Sequence, residues 1–538
     1  MLKKNTWFIT TALVLFFLTS FLHFWKIGEI PPGFYWDEVS ISYNAYCLVE
    51  TGKDEEGDSL PLFCRCFSYY GDPAIIYSTC PVVKIFGLSK AACRSVSAFY
   101  LICASVFFVF LSYAYAGNKW IALAAGFLFS ILPWVFPTNR TIMIGYSPML
   151  LGIIAGWFFL MRAMGRNNWK YAVIAGFSWS MVMYCYSSGR PFSGLAMIVF
   201  VLAFNFLLIK RIRTFSIFVI SYFCASIPLI IAVFNNPAVI LSRFSDLSVW
   251  SDGAKFHEVL TRIFVRYAEY FSPDFLFVSG DPELRHNTGS SGELYIFMAP
   301  FIIAGLYCVI KNFRRNPYFR FLLYAILVYP AAAVLTTDRM HSTRCMNGAP
   351  FWCMLTVIGF YFIWTYKRKF RVAVIAVLCF SAMEISLYFV NYFGKYAVDS
   401  RGAFYAPFVE TVEYSFKNLS VNETLYVSDS VFFHPVDSSF KPYWYVYFLF
   451  YGKVAPETYQ KTGIPEYIRP YDGKISNPGI FIRMNSRISV DSAGNPIAVL
   501  NSEPVPANSK LIHKIPLSAG SDRFFEIYRV YYSFSEKQ

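Results

Sequence analysis

Up to Tyr392 the chain alternates long apolar runs with short clusters of Lys and Arg. The runs fall at 7–25, 95–115, 120–136, 146–160, 171–187, 192–209, 215–234, 294–310, 321–335, 350–366 and 372–392. Most approach the ~20 residues that carry an α-helix across a hydrocarbon core of ~30 Å. The pattern predicts about eleven membrane-spanning helices, with ends that shift by a few residues. A further apolar stretch, 74–86, is too short to cross and suits a helix lying at the interface.

Beyond Tyr392 the period changes. Residues 424–427 (TLYV) and 479–482 (GIFI) read as strands between Pro and Gly turns, and 443–451 as a buried helix or strand. The expected architecture is an α-helical polytopic membrane domain at 1–394 and a mixed α/β extracytoplasmic domain at 395–538. Two connections in the first part, 26–94 and 235–293, far exceed the ~15 residues above which a loop is usually functional or disordered. Both are rich in Trp, Tyr and Phe, which disorder disfavours, so a folded face is expected there.

Composition agrees. Of 538 residues, 56% are hydrophobic and 15% charged, against about 45–50% and about 25% in soluble domains, which excludes an ordinary soluble enzyme. The net charge of +14 would invite a nucleic-acid reading, but the basic residues punctuate apolar runs instead of forming one solvated face. They obey a parity. Lys3, Lys4, Lys119, Arg162, Arg166, Lys170 and the clusters at 210–213, 311–320 and 367–371 all fall on one side of an eleven-span count, a side without Asp or Glu. Lys and Arg are retained in the cytoplasm, so the N-terminus is expected inside and the C-terminal domain outside a plasma membrane. Every carboxylate before Arg371 falls on the outer side, at 29–72, 246–293 and 338.

The first run ends in the bulky stretch 21–25 (FLHFW) with no small-residue cleavage site, so an uncleaved anchor is expected. Six of the twelve Cys lie in or beside spans as apolar filler, and Cys64-Arg65-Cys66 lacks the spacing of a zinc site. Asp54, Glu55, Glu56 and Asp58 have no His beside them and read as a solvated acidic patch. Glu384 is the carboxylate inside a span, and with no motif around it a structural hydrogen bond is expected. No cofactor is indicated; a divalent metal is compatible with the chain, but no metal ligands stand out.

The chemical signal is Pro31-Pro32-Gly33-Phe34-Tyr35-Trp36-Asp37-Glu38, two adjacent carboxylates after a rigid aromatic turn. Asp and Glu there also suit a helix N-terminus near Val39. Further along come Phe67-Ser68-Tyr69-Tyr70 with Pro73 and Tyr77, then Arg94, Leu132-Pro133-Trp134 with Asn139-Arg140, and Tyr184-Cys185-Tyr186 with Arg190. Phe271-Ser272-Pro273-Asp274 follows with Gly280-Asp281 and Arg285-His286, and finally His341-Ser342-Thr343-Arg344. In this order the series resembles the GT-C glycosyltransferases, in the branch of protein O-mannosyltransferases and lipid A aminoarabinose transferases. The likeness covers most of 7–392 and little of the C-terminal domain.

That resemblance implies transfer of a hexose or pentose, with inversion, from a polyprenyl-phosphate donor to a protein, lipid A or envelope-glycan acceptor outside the cytoplasm. Asp37 is then the general base, with Glu38 beside it; such a base contributes roughly 10²–10⁴-fold. Arg190, Arg285, His286, His341 and Arg344 are the expected donor-phosphate contacts, with Asp72, Arg94, Arg140, Tyr184 and Tyr186 in support. Expected partners are the lipid-linked donor, membrane lipid and the acceptor, and no nucleic acid. Two departures from the family pattern stand out: Gly71-Asp72 where relatives carry Lys before Pro-Pro, and Ile144 where they often place an acid. Asp72 could stand in for that second carboxylate only if the fold brings it near Asp37. Two alternatives stay open: a lipid or lipid-linked-sugar flippase, for which the spans offer few ionisable groups, and an inactive GT-C-like protein.

Overall fold

The computed structural model describes residues 2–531 except 68, 241–246, 251–252, 367–369, 421, 429–443, 471–477, 485, 491–495, 502–504, 507 and 518–523. Among them, eight helices are long and apolar enough to cross a membrane: Trp7–Phe24, Lys90–Ala116, Tyr146–Arg166, Gly189–Lys210, Ile212–Asn235, Pro317–Leu335, Ser342–Tyr366 and Val374–Asp399. The other three expected spans are helical but shorter, each for a local reason. Lys119–Ser130 stops before Pro133, which disfavours helical geometry in the residue preceding it. Trp169–Met181 tightens into a 3₁₀ turn, Val182–Tyr184, and 294–310 is a 3₁₀ turn followed by Ala299–Asn312, with Pro300 in its first turn. The stretch expected at the interface is the helix Pro73–Phe86.

Three turns between helices use the same device. Asn118, Asn168 and Asn316 each accept from the backbone N–H two residues on, at 2.9 Å, and so cap the helices Lys119–Ser130, Trp169–Met181 and Pro317–Val328. Helices Ala299–Asn312 and Ala349–Tyr366 cross at Gly305 and Gly359, where a Cβ would run into the carbonyls of Leu355 and Phe301. Such small residues let membrane helices approach closely. Glu384 accepts from Ile296 N (2.7 Å) and Phe297 N (3.1 Å), donors that a helix start leaves unpaired. Glu384 thus makes structural hydrogen bonds, as expected.

The chain divides into two compact units. The first comprises Met1–Ile30, Asp72–Ser78 and Cys93–Ala397; the second comprises Pro31–Gly71, Thr79–Ala92 and Val398–Gln538. In the second, Thr424–Val427 and Gly479–Met484 are strands, and Tyr445–Tyr451 is a buried helix. A five-stranded sheet runs Ile468–Pro470, Thr424–Val427, Gly479–Met484, Phe524–Val530, Ser509–Pro516, parallel across the first three and antiparallel after. Phe408 of helix Ala406–Asn418 packs on Phe525 of the sheet and on Tyr447. The first-loop helix Trp36–Thr51 belongs to the same unit: Phe34 N donates to Phe404 O (2.9 Å), Tyr447 Oη to Phe34 O (2.9 Å), and Tyr43 Oη to Val454 O (3.1 Å). Gly33 is held at φ +77°, where a side chain would meet the Phe404 carbonyl, so no other residue fits.

Candidate active site

In the first unit two loop segments, distant in sequence, meet on one carboxylate. Asp281 is buried; its Oδ1 accepts from Glu283 N (2.9 Å), and its Oδ2 accepts from Ser342 N (2.7 Å) and lies 3.0 Å from His286 Nδ1. His341 Nδ1 is 3.9 Å from the same oxygen, and the two imidazoles lie 4.5 Å apart between centroids. Beneath them Glu293 Oε1 accepts from Asp281 N (2.9 Å) and Asn287 Nδ2 (3.3 Å). The Pro133-Trp134 turn backs both loops: Trp134 N donates to Glu293 O (3.0 Å) and Trp134 Nε1 to Ser342 O (2.9 Å). Burial, reinforced by the Asp281 charge, pushes the Glu293 carboxyl well above the usual carboxylate range.

Arg344, mostly buried, pairs with Asp338 at 2.6 Å, and its other terminal nitrogen is buried with no hydrogen-bond partner among the described residues. Arg285 lies 3.2 Å from Glu283. Burial opposes ionisation of Glu283, but the hydrogen bond and charge of Arg285, with His286 behind it, prevail and hold the carboxyl below its usual range. Arg190 donates to Asp72 Oδ1 at 2.7 Å and to Met183 O at 3.2 Å. Asp72 is therefore the counter-charge of an expected phosphate contact.

Other expected supporting residues hold the scaffold. Arg140 is fully buried and donates to the carbonyls of Leu22, His23 (2.9 Å), Trp25 (2.6 Å) and Ile30 (3.2 Å) and to Tyr392 Oη (3.1 Å), among the rings of Phe136, Tyr392 and Phe393. It clamps the end of the first helix. Arg94, also fully buried, donates to Ile27 O at 3.2 Å. Tyr184 inserts its hydroxyl beside Pro228 of helix Ile212–Asn235, accepting from Leu229 N (3.3 Å) and donating to Ala225 O (2.7 Å). Tyr186 packs edge-on against Tyr146, 5.1 Å between centroids.

In the second unit Asp37 and Glu38 occupy the first turn of Trp36–Thr51, which starts three residues before Val39. Glu38 is buried and accepts from Tyr35 N (3.0 Å), half of a capping box, while Asp37 keeps part of its surface in solvent. Tyr35 and Trp36 each stack on Tyr405, 5.5 Å between centroids. The solvated acidic patch expected at 54–58 is corrected at two of its members, because Asp54 and Glu55 are buried. Asp54 accepts from the backbone of Glu56 (3.1 Å), Asp58 (3.0 Å) and Arg65 (3.0 Å), and Glu55 accepts from Phe67 N (3.3 Å) and Tyr445 Oη (2.7 Å). These carboxylates fold the loop.

Asp281 appeared in the sequence within a motif but without a role, and Glu293 carried no signal at all. Their importance depends on segments far apart in the chain, which local spacing cannot reveal. Asp281, His286 and His341 offer one ligand atom each, all within 4.8 Å of one another, and are the set among the described residues that could hold a metal ion. Two imidazoles and a carboxylate form a donor set that zinc accepts with an open position.

No family model and no curated protein sequence matches the chain. Its structure is similar to that of ArnT from Cupriavidus metallidurans in the apo state, at TM-score 0.53 and 12% identity over 89% of this chain and 93% of that one. ArnT from the same organism bound to undecaprenyl phosphate matches at TM-score 0.51 and 12% identity, covering 98% of both chains. The apo oligosaccharyltransferase of Archaeoglobus fulgidus matches at TM-score 0.53 and 15% identity, over 84% of this chain and 64% of that longer one. At such identities the shared property is the fold.

Proposed function

We propose that this chain, a multi-pass membrane protein with the GT-C glycosyltransferase fold, moves a sugar from a polyprenyl-phosphate-linked donor to an acceptor on the non-cytoplasmic side of the membrane. The observation that carries the reading is the convergence of His286 and His341 from two loops on Asp281, with Arg344 one turn beyond His341 and carrying a buried nitrogen without a described partner. A dianionic or monoanionic phosphate is the ligand that such donors suit. One structural neighbour was determined with undecaprenyl phosphate bound, which agrees with a lipid-phosphate donor here.

In this reading Asp37 removes the acceptor hydroxyl proton, and the oxygen attacks the anomeric carbon. The bond from that carbon to the phosphate oxygen breaks, and its electron pair leaves on the polyprenyl phosphate. Arg190, Arg285, His286, His341 and Arg344 stabilise the departing charge, so no second acid is required. A single displacement inverts the anomeric centre. Asp37 is preferred to Glu38 because Glu38 is buried and already caps its helix. Residues 395–538 then lie outside the cytoplasm with the first loop. A second reading is favoured by the 4.8 Å clustering: Asp281, His286 and His341 would hold a divalent cation, which when bound would supply further positive charge to phosphate oxygens.

The test is transfer from a panel of polyprenyl-phosphate sugars by purified wild type and Asp37→Asn, in detergent with envelope extract as acceptor. Wild type is expected to transfer, and Asp37→Asn to lose roughly 10²–10⁴-fold while keeping its elution profile. Wild-type rates in Asp37→Asn would remove it as the base. Lipid-sugar translocation in vesicles without any transfer would overturn the transferase reading in favour of a flippase.

A further inference from the structure

We propose that the helix Phe256–Glu269 is an arm inserted into the bilayer leaflet on the side of the 236–293 loop, with Phe256, Leu260 and Phe264 among the acyl chains. The proposal stands independently of the transferase reading. The three residues recur every fourth position and so form one stripe along the helix. They are 78%, 50% and 75% exposed, an apolar stripe that water disfavours. Glu258, Thr261 and Glu269 lie on a different arc. The helix is thus amphipathic in the manner of an interfacial segment.

The helix is fastened to the bundle on two faces. Away from the stripe Arg262 donates to Val249 O (3.2 Å) and Arg266 to Thr336 O; on the face of the stripe Tyr267 Oη donates to Leu327 O (2.7 Å), and just past the helix Tyr329 Oη donates to Tyr270 O. Leu327 lies in the last turn of helix Pro317–Val328, within the apolar segment Pro317–Leu335, so the tether joins the arm to the end of a candidate membrane span. Leu327 is itself 47% exposed, and Phe264 lies one helical turn from Tyr267. The lipid-facing surface of the span therefore continues onto the stripe. Lys255 and His257, exposed at the start of the helix, suit phosphate headgroups above the acyl region.

The arm also touches the candidate site. Tyr270, which follows the helix directly, accepts from His341 N at 3.1 Å, and Glu269 pairs with Arg339. Lipid that holds the arm in the leaflet therefore fixes the height of the His341 segment above the membrane.

The test uses the full chain with the exposed Cys224 and Cys379 changed to Ser, reconstituted into phosphatidylethanolamine–phosphatidylglycerol vesicles. A bimane label is placed by Phe264→Cys or, on the polar arc, by Glu258→Cys, and the unlabelled-site parent sets the background. Lipids with a nitroxide on the acyl chain should quench the label at 264 at least about threefold more than at 258, and aqueous iodide should show the reverse order. Leu260→Cys replaces Phe264→Cys if the latter is not monodisperse, with the same expectation. Quenching at 264 by iodide and not by nitroxide lipid overturns the proposal. Shielding of 264 from both quenchers also overturns it, in favour of a protein contact.

Discussion

Replacing Asp281 by Asn is the sharpest test of how the candidate site is held. The carboxylate accepts from Glu283 N on one oxygen and from Ser342 N, with His286 Nδ1 at 3.0 Å, on the other, at 4% side-chain exposure. An Asn must turn its NH₂ toward one of these two sides, and there it faces a backbone donor with a donor. Leaving a buried donor unsatisfied costs about 1–3 kcal/mol, and each surviving bond loses its charge assistance at roughly 1 kcal/mol. The loss is then about 2–4 kcal/mol, all of it falling on the joint between 281–286 and 341–344. At about 1.4 kcal/mol per decade, donor affinity should drop by at least about tenfold, accompanied by a lower thermal midpoint. The assay is binding of labelled polyprenyl-phosphate sugar in detergent, with thermal unfolding alongside. Asp274→Asn, whose described side-chain bond is to the exposed Ser279, serves as the control and should bind as wild type does. Equal donor affinity and equal midpoint in Asp281→Asn would refute the reasoning.

Other expectations rest on single contacts. Glu293 has its carboxyl raised by burial, so its contribution to stability is present below its unfolded value and is lost as pH rises through the folded one. Glu293→Gln keeps the acceptor for Asp281 N and cannot ionise, so its thermal midpoint should fall less than that of wild type as pH rises from the ordinary carboxylate range upward; parallel curves would contradict this. Arg140→Ala takes the donor from the Leu22 and His23 carbonyls at the first helix end and from those of Trp25 and Ile30 beyond it, and should lower stability by about 3 kcal/mol or more, read as a lost monodisperse peak or a lowered thermal midpoint. Asp72→Asn and Arg190→Gln should be non-additive in donor affinity by about 1–3 kcal/mol in a double-mutant cycle, because the pair is mostly buried at 2.7 Å; additive effects would separate the two residues functionally.

The membrane helices and the strands at 424–427 and 479–482 could be read from sequence because hydropathy runs and alternation are local signals, written in consecutive residues. The order of motifs along the chain pointed to the GT-C fold that the structural likenesses share. Which motif residue does what was another matter. Arg140 and Tyr184 stand in motifs that look functional, yet their polar atoms hold a helix end and the backbone beside Pro228, because burial and backbone geometry decide where a side chain's donors go.

By itself, then, the sequence determined where the apolar helical segments lie to within several residues, and which acidic and basic residues are available for chemistry. Only the tertiary structure decided that Asp281 joins His286 to the segment carrying His341, that Asp72 faces Arg190, and that Asp54 and Glu55 are buried loop-builders. The physical reason is range. A helix or strand is settled by neighbours a few residues away, whereas a buried charge persists only where partners from remote segments arrive to meet it.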